Sequence, residues 1–201
     1  MSALATLLQS GQVWRGDAPA LIRAESTGEE SLDRLLPGGG WPADALTEIL
    51  YARAGIGEVS LVLPWLARLT QAGGRAAIVA PPHLPFAPAL AQVGVVLARI
   101  VVVQPGSAES TQWAMEQLLR AACFGTVLAW PGATDAQALR RLQLAAETGK
   151  AIGILFRDAR AAEEASPAAL RLLASRDAQG FSVQILKCRG AAAGRQWRAA
   201  A

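Results

Sequence analysis

The chain of 201 residues has little of the chemistry that most catalytic sites are built from: two cysteines, Cys123 and Cys188, and a single histidine, His83. Two distant thiols make neither a CxxC pair nor a zinc spacing, and one histidine cannot complete a zinc ligand set. A Ser-His-Asp triad would have to use His83, and no G-x-S-x-G elbow presents a serine to it. No unbroken apolar run reaches the about 18 residues of a membrane-spanning helix. The opening "MSALATLLQSGQVWRGD" has no basic n-region or small-residue cleavage site, so the expectation is a cytoplasmic protein away from membranes. Acidic residues also run out: none follows Asp177, whereas Lys187, Arg189, Arg195 and Arg198 do, with Trp197 among them. That end reads either as a solvated tail or as a contact for nucleic acid phosphates or an acidic surface.

What is present is apolar and alanine-rich. Hydrophobic residues make up 52% of the chain and the net charge is only +3, which suits one folded domain with a sizeable core. Residues 1 to about 12 pattern as a short amphipathic helix with Leu4, Leu7 and Leu8 on one side. "TGEESLDRLLPGGGWP" reads as a small helix stopped by Pro37 and three glycines, with Thr27 and Glu30 at capping-box spacing. Then strand and helix patterns alternate. Strands are expected at Leu46 to Tyr51 and in "RAAIVAPP", "RIVVVQP", "GTVLAWPG", "AIGILFRD" and "GFSVQILKCRG". Helices are expected in "GEVSLVLPWLARLTQAGG", with its start delayed by Pro64, and in a short piece after "PPHLPF". "SAESTQWAMEQLLRAACFG", capped by Ser107 or Ser110, "TDAQALRRLQLAAETGK" and "ARAAEEASPAALRLLAS" are expected to follow as helices. This order predicts an α/β fold with a mostly parallel central sheet flanked by helices.

The strand-loop-helix at "YARAGIGEVSL" has the setting of a phosphate-binding loop. A Walker A loop needs glycines to curl amides around phosphate, a lysine for the β- and γ-phosphates, and a hydroxyl for Mg²⁺. Gly55 and Gly57 supply the turn, but Glu58 stands in the lysine position, Val59 in the hydroxyl position, and Ser60 one place later. At ~4 Å and an effective dielectric of about 20, a carboxylate repels each phosphate charge by roughly 4 kcal/mol. The helix N-terminus favours an acid, so Glu58 can occupy the place of a phosphate. The strand that should end in a metal-binding acid ends in Trp130, and the loop after "AAIVA" offers Pro81, Pro82 and His83 where a general base belongs. The loop is expected to be degenerate, with no cofactor, no metal and no catalytic residue. A surviving ATPase with an atypical loop is the reading it disfavours.

"LDRLLPGGGWPADALTEILYARAGIGE", "RAAIVAPPHLPFAPALAQVGVVLARIVVVQP" and "SPAALRLLASRDAQGFSVQILKCRG" resemble successive units of the RecA recombinase core. Within RecA relatives, "VWRGD", "LLPGGGWP", "GIGE", "APPHLPFAPAL" and "ALRRLQLAAE" resemble the ImuA family of translesion DNA synthesis-associated proteins. The neighbouring SulA family of cell-division inhibitors shares the general pattern from about Gly57 to Arg157, but typically lacks the "LLPGGGWP" approach. The resemblance implies a RecA-like core at residues 31–190, preceded by an N-terminal segment at 1–30 (a candidate docking helix) and followed by a basic, disordered tail at 191–201. It implies a non-enzymatic accessory of SOS mutagenesis, working with an ImuB-type Y-family polymerase relative and an error-prone C-family DNA polymerase. RecA and DNA are further candidate partners, and self-association stays open. The alternative is a SulA-like inhibitor that binds the division GTPase FtsZ.

Tryptophan is abundant, six against one tyrosine. Trp65 and Trp113 lie in helical patterns and are expected in the core. Trp130 either plugs the vacated pocket or meets a partner, and Trp41 either anchors a turn or does the same. Trp14 with Arg15 is the docking candidate, since interfaces favour Trp and Arg. Lys187, Arg189, Arg195, Trp197 and Arg198 are the DNA-contact candidates, with Trp197 stacking on an unpaired base. Arg140 and Arg141 are expected on a solvated helix face.

Overall fold

Strand-length runs of Val, Ile, Leu and Ala, closed by glycine, proline or a helix cap, build the framework of the computed structural model, which describes residues 23–199. In chain order the strands are β1 (Ala24–Glu25), β2 (Trp41–Pro42), β3 (Leu46–Tyr51), β4 (Ala76–Val79), β5 (Ile100–Val103), β6 (Thr126–Ala129), β7 (Ile152–Asp158), β8 (Leu170–Asp177), β9 (Gly180–Cys188) and β10 (Gln196–Arg198). The helices are α1 (Glu30–Asp33), α2 (Leu63–Gln71), α3 (Ala87–Gln92), α4 (Ala108–Arg120) and α5 (Ala136–Gly149). β1 and β2 form a small antiparallel ribbon, and the other eight strands form one sheet in the order β10-β9-β8-β3-β7-β6-β4-β5. β8 through β5 run parallel, while β9 and β10 add antiparallel strands at one side. β4, β6 and most of β7 are buried throughout, as continuous apolar runs covered on both faces should be.

Two apolar layers sandwich the sheet. On one face α2 lays Trp65 and Leu66 over Ile49, Ile78, Ile154 and Phe156. On the other, α4 and α5 bring Met115, Leu119, Leu139 and Leu142 against Leu46, Val127 and Leu155. Gly149 of α5 lies so close to the Leu119 carbonyl that any side chain there would collide with it. The caps are local and sequence-encoded: Ser107 and Ser110 exchange hydrogen bonds as a capping box at α4, and Asp135 accepts from the Ala138 amide (2.7 Å) at α5.

Several expectations are corrected. Thr27 does not box with Glu30; its hydroxyl accepts from the Glu29 amide (3.1 Å) and donates to Asp33 (2.6 Å). The segment read as a loop and helix from Ala159 is a short 3-10 turn, Ala159–Glu163, followed by strand β8. Leu170, Leu172 and Ala174 point into one apolar layer at period two, and a seat beside β3 overrides the helix propensity of Leu and Ala. Trp113 is not core but 66% exposed, because α4 turns Thr111, Ala114, Met115 and Leu119 inward instead. The tail expected to be disordered carries β10, which pairs with β9. Trp14, Arg15 and the Leu4–Leu8 pattern lie outside the described residues. Among the described residues, no helix is long and apolar enough to cross a membrane.

Candidate functional site: a loop closed on its own carboxylate

The loop between β3 and α2 curls as its glycines require. Gly55 and Gly57 take φ of +83° and +109°, values that a residue with a side chain rarely adopts. Their amides converge on one group: the Gly55 N–H donates to Oε1 of Glu58 and the Gly57 N–H to Oε2, both at 3.1 Å. Glu58 is 5% exposed. Val59 packs against the apolar layer, and the Ser60 hydroxyl turns back to donate to the Gly57 carbonyl at 2.5 Å. Arg176 of β8 closes the outside of the loop by donating from Nε to the Ile56 carbonyl at 2.7 Å. The amides that an anion would seek are therefore already satisfied by a fixed carboxylate.

Beside the loop, at the C-terminal ends of β3, β6 and β7, lies a cavity of about 570 Å³. Such ends are where α/β sheets place ligands. Tyr51, Trp130 and Phe156 form its apolar wall, and Asp158, Arg160 and Glu164 its polar rim. Trp130 stacks on Phe156 with ring centres 4.4 Å apart, so it lines this cavity and does not close it. Burial, then the charge of Glu58, pushes the Tyr51 phenol up from its ordinary value. Asp158 is held at about 2 by its side-chain and backbone hydrogen bonds from Arg160.

The floor is a buried ionic network that the sequence analysis did not find. Glu48, fully buried in β3, accepts from Arg157 Nη1 of β7 and Arg171 Nε of β8, each at 2.5 Å. Arg157 also donates to the Thr134 carbonyl (3.0 Å) and Glu164 (2.9 Å), and Arg171 to the carbonyls of Ala161 and Glu164. Two loops are thereby tied to the sheet. One signal was readable: a lone charge inside each of the apolar strand runs "LTEILY" and "GILFR", which must find partners if those runs are buried.

The remaining candidates scatter. Trp41 is wholly buried, so it anchors the turn and presents no surface of its own. Trp197 is 7% exposed and donates its indole N–H to the Ser31 hydroxyl at 2.8 Å, which removes it as a base-stacking platform. Arg198 is paired with Asp177 through two bonds of 2.8 and 3.1 Å. Lys187 and Arg189 stand together at the far end of β9, where burial and then the charges of Arg171 and Arg189 hold the lysine below its usual value. Lys187 donates to the Ser166 carbonyl at 2.7 Å. Arg195 is half-buried, with Nε and Nη2 lacking a partner among the described residues. Arg198 sits opposite Ser182, five residues along β9 from Lys187 and so about 17 Å away. These side chains do not form one basic patch. Arg140 and Arg141 are exposed, as expected.

Comparison with known proteins finds similarity to RecA and to SulA. RecA of Crocosphaera subtropica is 35% identical over 120 residues, covering 59% of this chain and 34% of that protein. RecA of Chlorobaculum parvum is 35% identical over 122 residues, covering 59% and 35%. The chain thus spans about a third of the length of these curated relatives. Among solved structures, the crystal structure of SulA from Pseudomonas aeruginosa aligns with a TM-score of 0.48 and 23% identity, covering 56% of this chain and 97% of that one. A family model described as "Cell division inhibitor SulA" matches residues 44–153, from the residues before β3, through the closed loop and the parallel strands, into the start of β7. With more than half of its length inside that match, the chain belongs to the SulA family.

Proposed function

We propose that this protein is a non-enzymatic accessory of the cellular response to DNA damage, acting in the cytoplasm through contacts with other proteins. The observation that carries this reading is Glu58 lying on the Gly55 and Gly57 amides. In a RecA-like domain those amides cradle triphosphate; here a carboxylate of the chain itself takes the position, so the loop is read as a degenerate Walker A. Trp130 in place of a metal-binding acid supports the same reading.

Within that class, an ImuA-type role in translesion synthesis is favoured, scaffolding an ImuB-type Y-family relative and an error-prone C-family polymerase, with RecA and DNA as further contacts. Its support is the glycine-rich approach "LLPGGGWP", all of which precedes the SulA-family match. Gly38, Gly39 and Gly40 all have positive φ there, and the turn delivers Trp41 into the core. The second reading, a division inhibitor that binds FtsZ, is supported by the family match itself. Affinity capture of the tagged protein from DNA-damaged cells, with mass spectrometry of the co-purifying chains, separates them. Recovery of the two polymerase-type proteins sustains the first; recovery of FtsZ, with filamentation on overexpression, replaces it with the second.

A further inference from the structure

Tyr51 and Asp158 are register partners at the C-terminal ends of β3 and β7, and Trp130 follows β6 directly, where it stacks on Phe156. Neighbouring strands lie about 4.8 Å apart, so phenol, carboxylate and indole stand side by side in the wall of one cavity. Carboxylates set the charge there. Glu58 is held by two neutral glycine amides and, among the described residues, has no ion-pair partner. Burial, then the charge of Glu58, and further that of Asp158, raise the Tyr51 phenol, so the field over the aromatic wall is negative. Arg157 in the floor does not reverse it, because Glu48 and Glu164 both pair with that guanidinium. At the rim, Glu164 and Asp158 are half-exposed, and Glu164 commits one oxygen to Arg157. Asp158 is met by Arg160, whose own side chain is 91% exposed. Exposed pairs of this kind are weak and yield to a competing charge.

We propose that this cavity receives an arginine side chain presented by a partner protein, the guanidinium lying on the aromatic wall and sharing its N–H groups between Asp158 and Glu164. A planar guanidinium stacks on an indole or phenol face and forks to carboxylates, which a compact ammonium does less well. Phosphate-bearing ligands are disfavoured by the same carboxylates, and a neutral planar base forgoes the charge. A cavity of about 570 Å³ has room for the side chain together with the peptide that flanks it. Arg160 already displays the chemistry: through Nε and Nη2 it places the chain's own guanidinium on both oxygens of Asp158, at 2.9 and 3.1 Å. The partner's arginine takes over that carboxylate. Any partner with an arginine in an extended, exposed segment satisfies the site, so it does not rest on the translesion or the division reading.

Titration of the full-length protein with a capped Gly-Arg-Gly tripeptide, followed through the tryptophan indole signals in heteronuclear NMR, tests this. Trp130→Phe assigns the Trp130 signal. A saturable shift of that signal in the millimolar range is expected, and the Gly-citrulline-Gly peptide, of the same shape without the charge, should bind about tenfold more weakly. Asp158→Asn should weaken the arginine peptide by about threefold, and Arg160→Ala, which removes the competing guanidinium, should tighten it by about threefold. Both variants alter exposed side chains, and a gain in affinity on losing Arg160 is a result that a merely structural role would not give. Any one of four results overturns the proposal: no saturable Trp130 shift, equal binding of the citrulline peptide, tighter binding of adenosine than of the arginine peptide, or no gain from Arg160→Ala.

Discussion

Arg157 and Glu48 face each other from adjacent parallel strands, guanidinium to carboxylate at 2.5 Å, with 3% and 0% of their side chains exposed. Arg171 holds the second carboxylate oxygen from the other side. Burying three charges is costly, and such a cluster is not in itself a source of stability; removing one member, however, leaves the others desolvated and unpaired. Glu48→Ala is therefore expected to destabilise the fold by about 3–5 kcal/mol, read from urea unfolding. A loss below about 1 kcal/mol would show that the two arginines find other partners and that Glu48 is not what ties the loops at Thr134 and Ala161 to the sheet.

The loop makes a separate prediction. Wild-type protein is expected to show no calorimetric binding of Mg-ATP or inorganic pyrophosphate, because Glu58 occupies the amides of Gly55 and Gly57 and repels a second anion. Glu58→Lys removes the competitor and adds the opposite charge, so its pyrophosphate affinity should rise at least about tenfold above that of wild type, or 1.4 kcal/mol. Tight Mg-ATP binding by the wild-type protein would refute the self-occupied loop and reopen an enzymatic reading.

How far these features were visible beforehand differs with their range. Strands β3 to β7 were legible because each is a short apolar run whose ends are marked by glycine, proline or a cap. β8 was not, because "SPAALRLLAS" is written in good helix formers and only its seat beside β3 makes it a strand. Trp113 was misplaced by composition: a large aromatic in an amphipathic helix reads as core, yet the inner stripe of α4 is set by smaller residues. Gly55, Gly57 and Glu58 were readable together because the contact spans three residues. The Glu48 network was not, since its partners lie 109 and 123 residues away and only the fold brings them together.

Acid titration should follow the pairing of Asp158 with Arg160. The carboxyl is held at about 2, below the 3.8 of an unperturbed aspartate, chiefly by the Arg160 side chain. A depressed value in the folded state means the contribution is complete above 3.8 and lost as pH falls through about 2. A carboxyl NMR titration of Asp158 is expected to show a midpoint near 2, and Arg160→Ala should move it back towards the unperturbed value. An ordinary midpoint in the wild type would mean the exposed pair does not persist in solution.

Trp197 separates a structural from a nucleic-acid role for the C-terminal strand. Its ring fills the apolar layer beside Phe181, at 6.3 Å between centres in an edge-on arrangement, and its N–H is held by Ser31. Trp197→Ala is expected to cost about 3–5 kcal/mol, as for other buried aromatics. Trp197→Phe keeps most of the packing and loses only the hydrogen bond, about 1 kcal/mol. If the indole also stacked on bases, the phenylalanine variant would bind single-stranded DNA measurably more weakly. The buried position predicts the reverse: fluorescence anisotropy with a single-stranded oligonucleotide should give the same affinity, whatever its size, for the wild type and Trp197→Phe. A clear loss in the variant would mean that β10 detaches from β9 and offers Trp197 to the nucleic acid, the arrangement this fold speaks against.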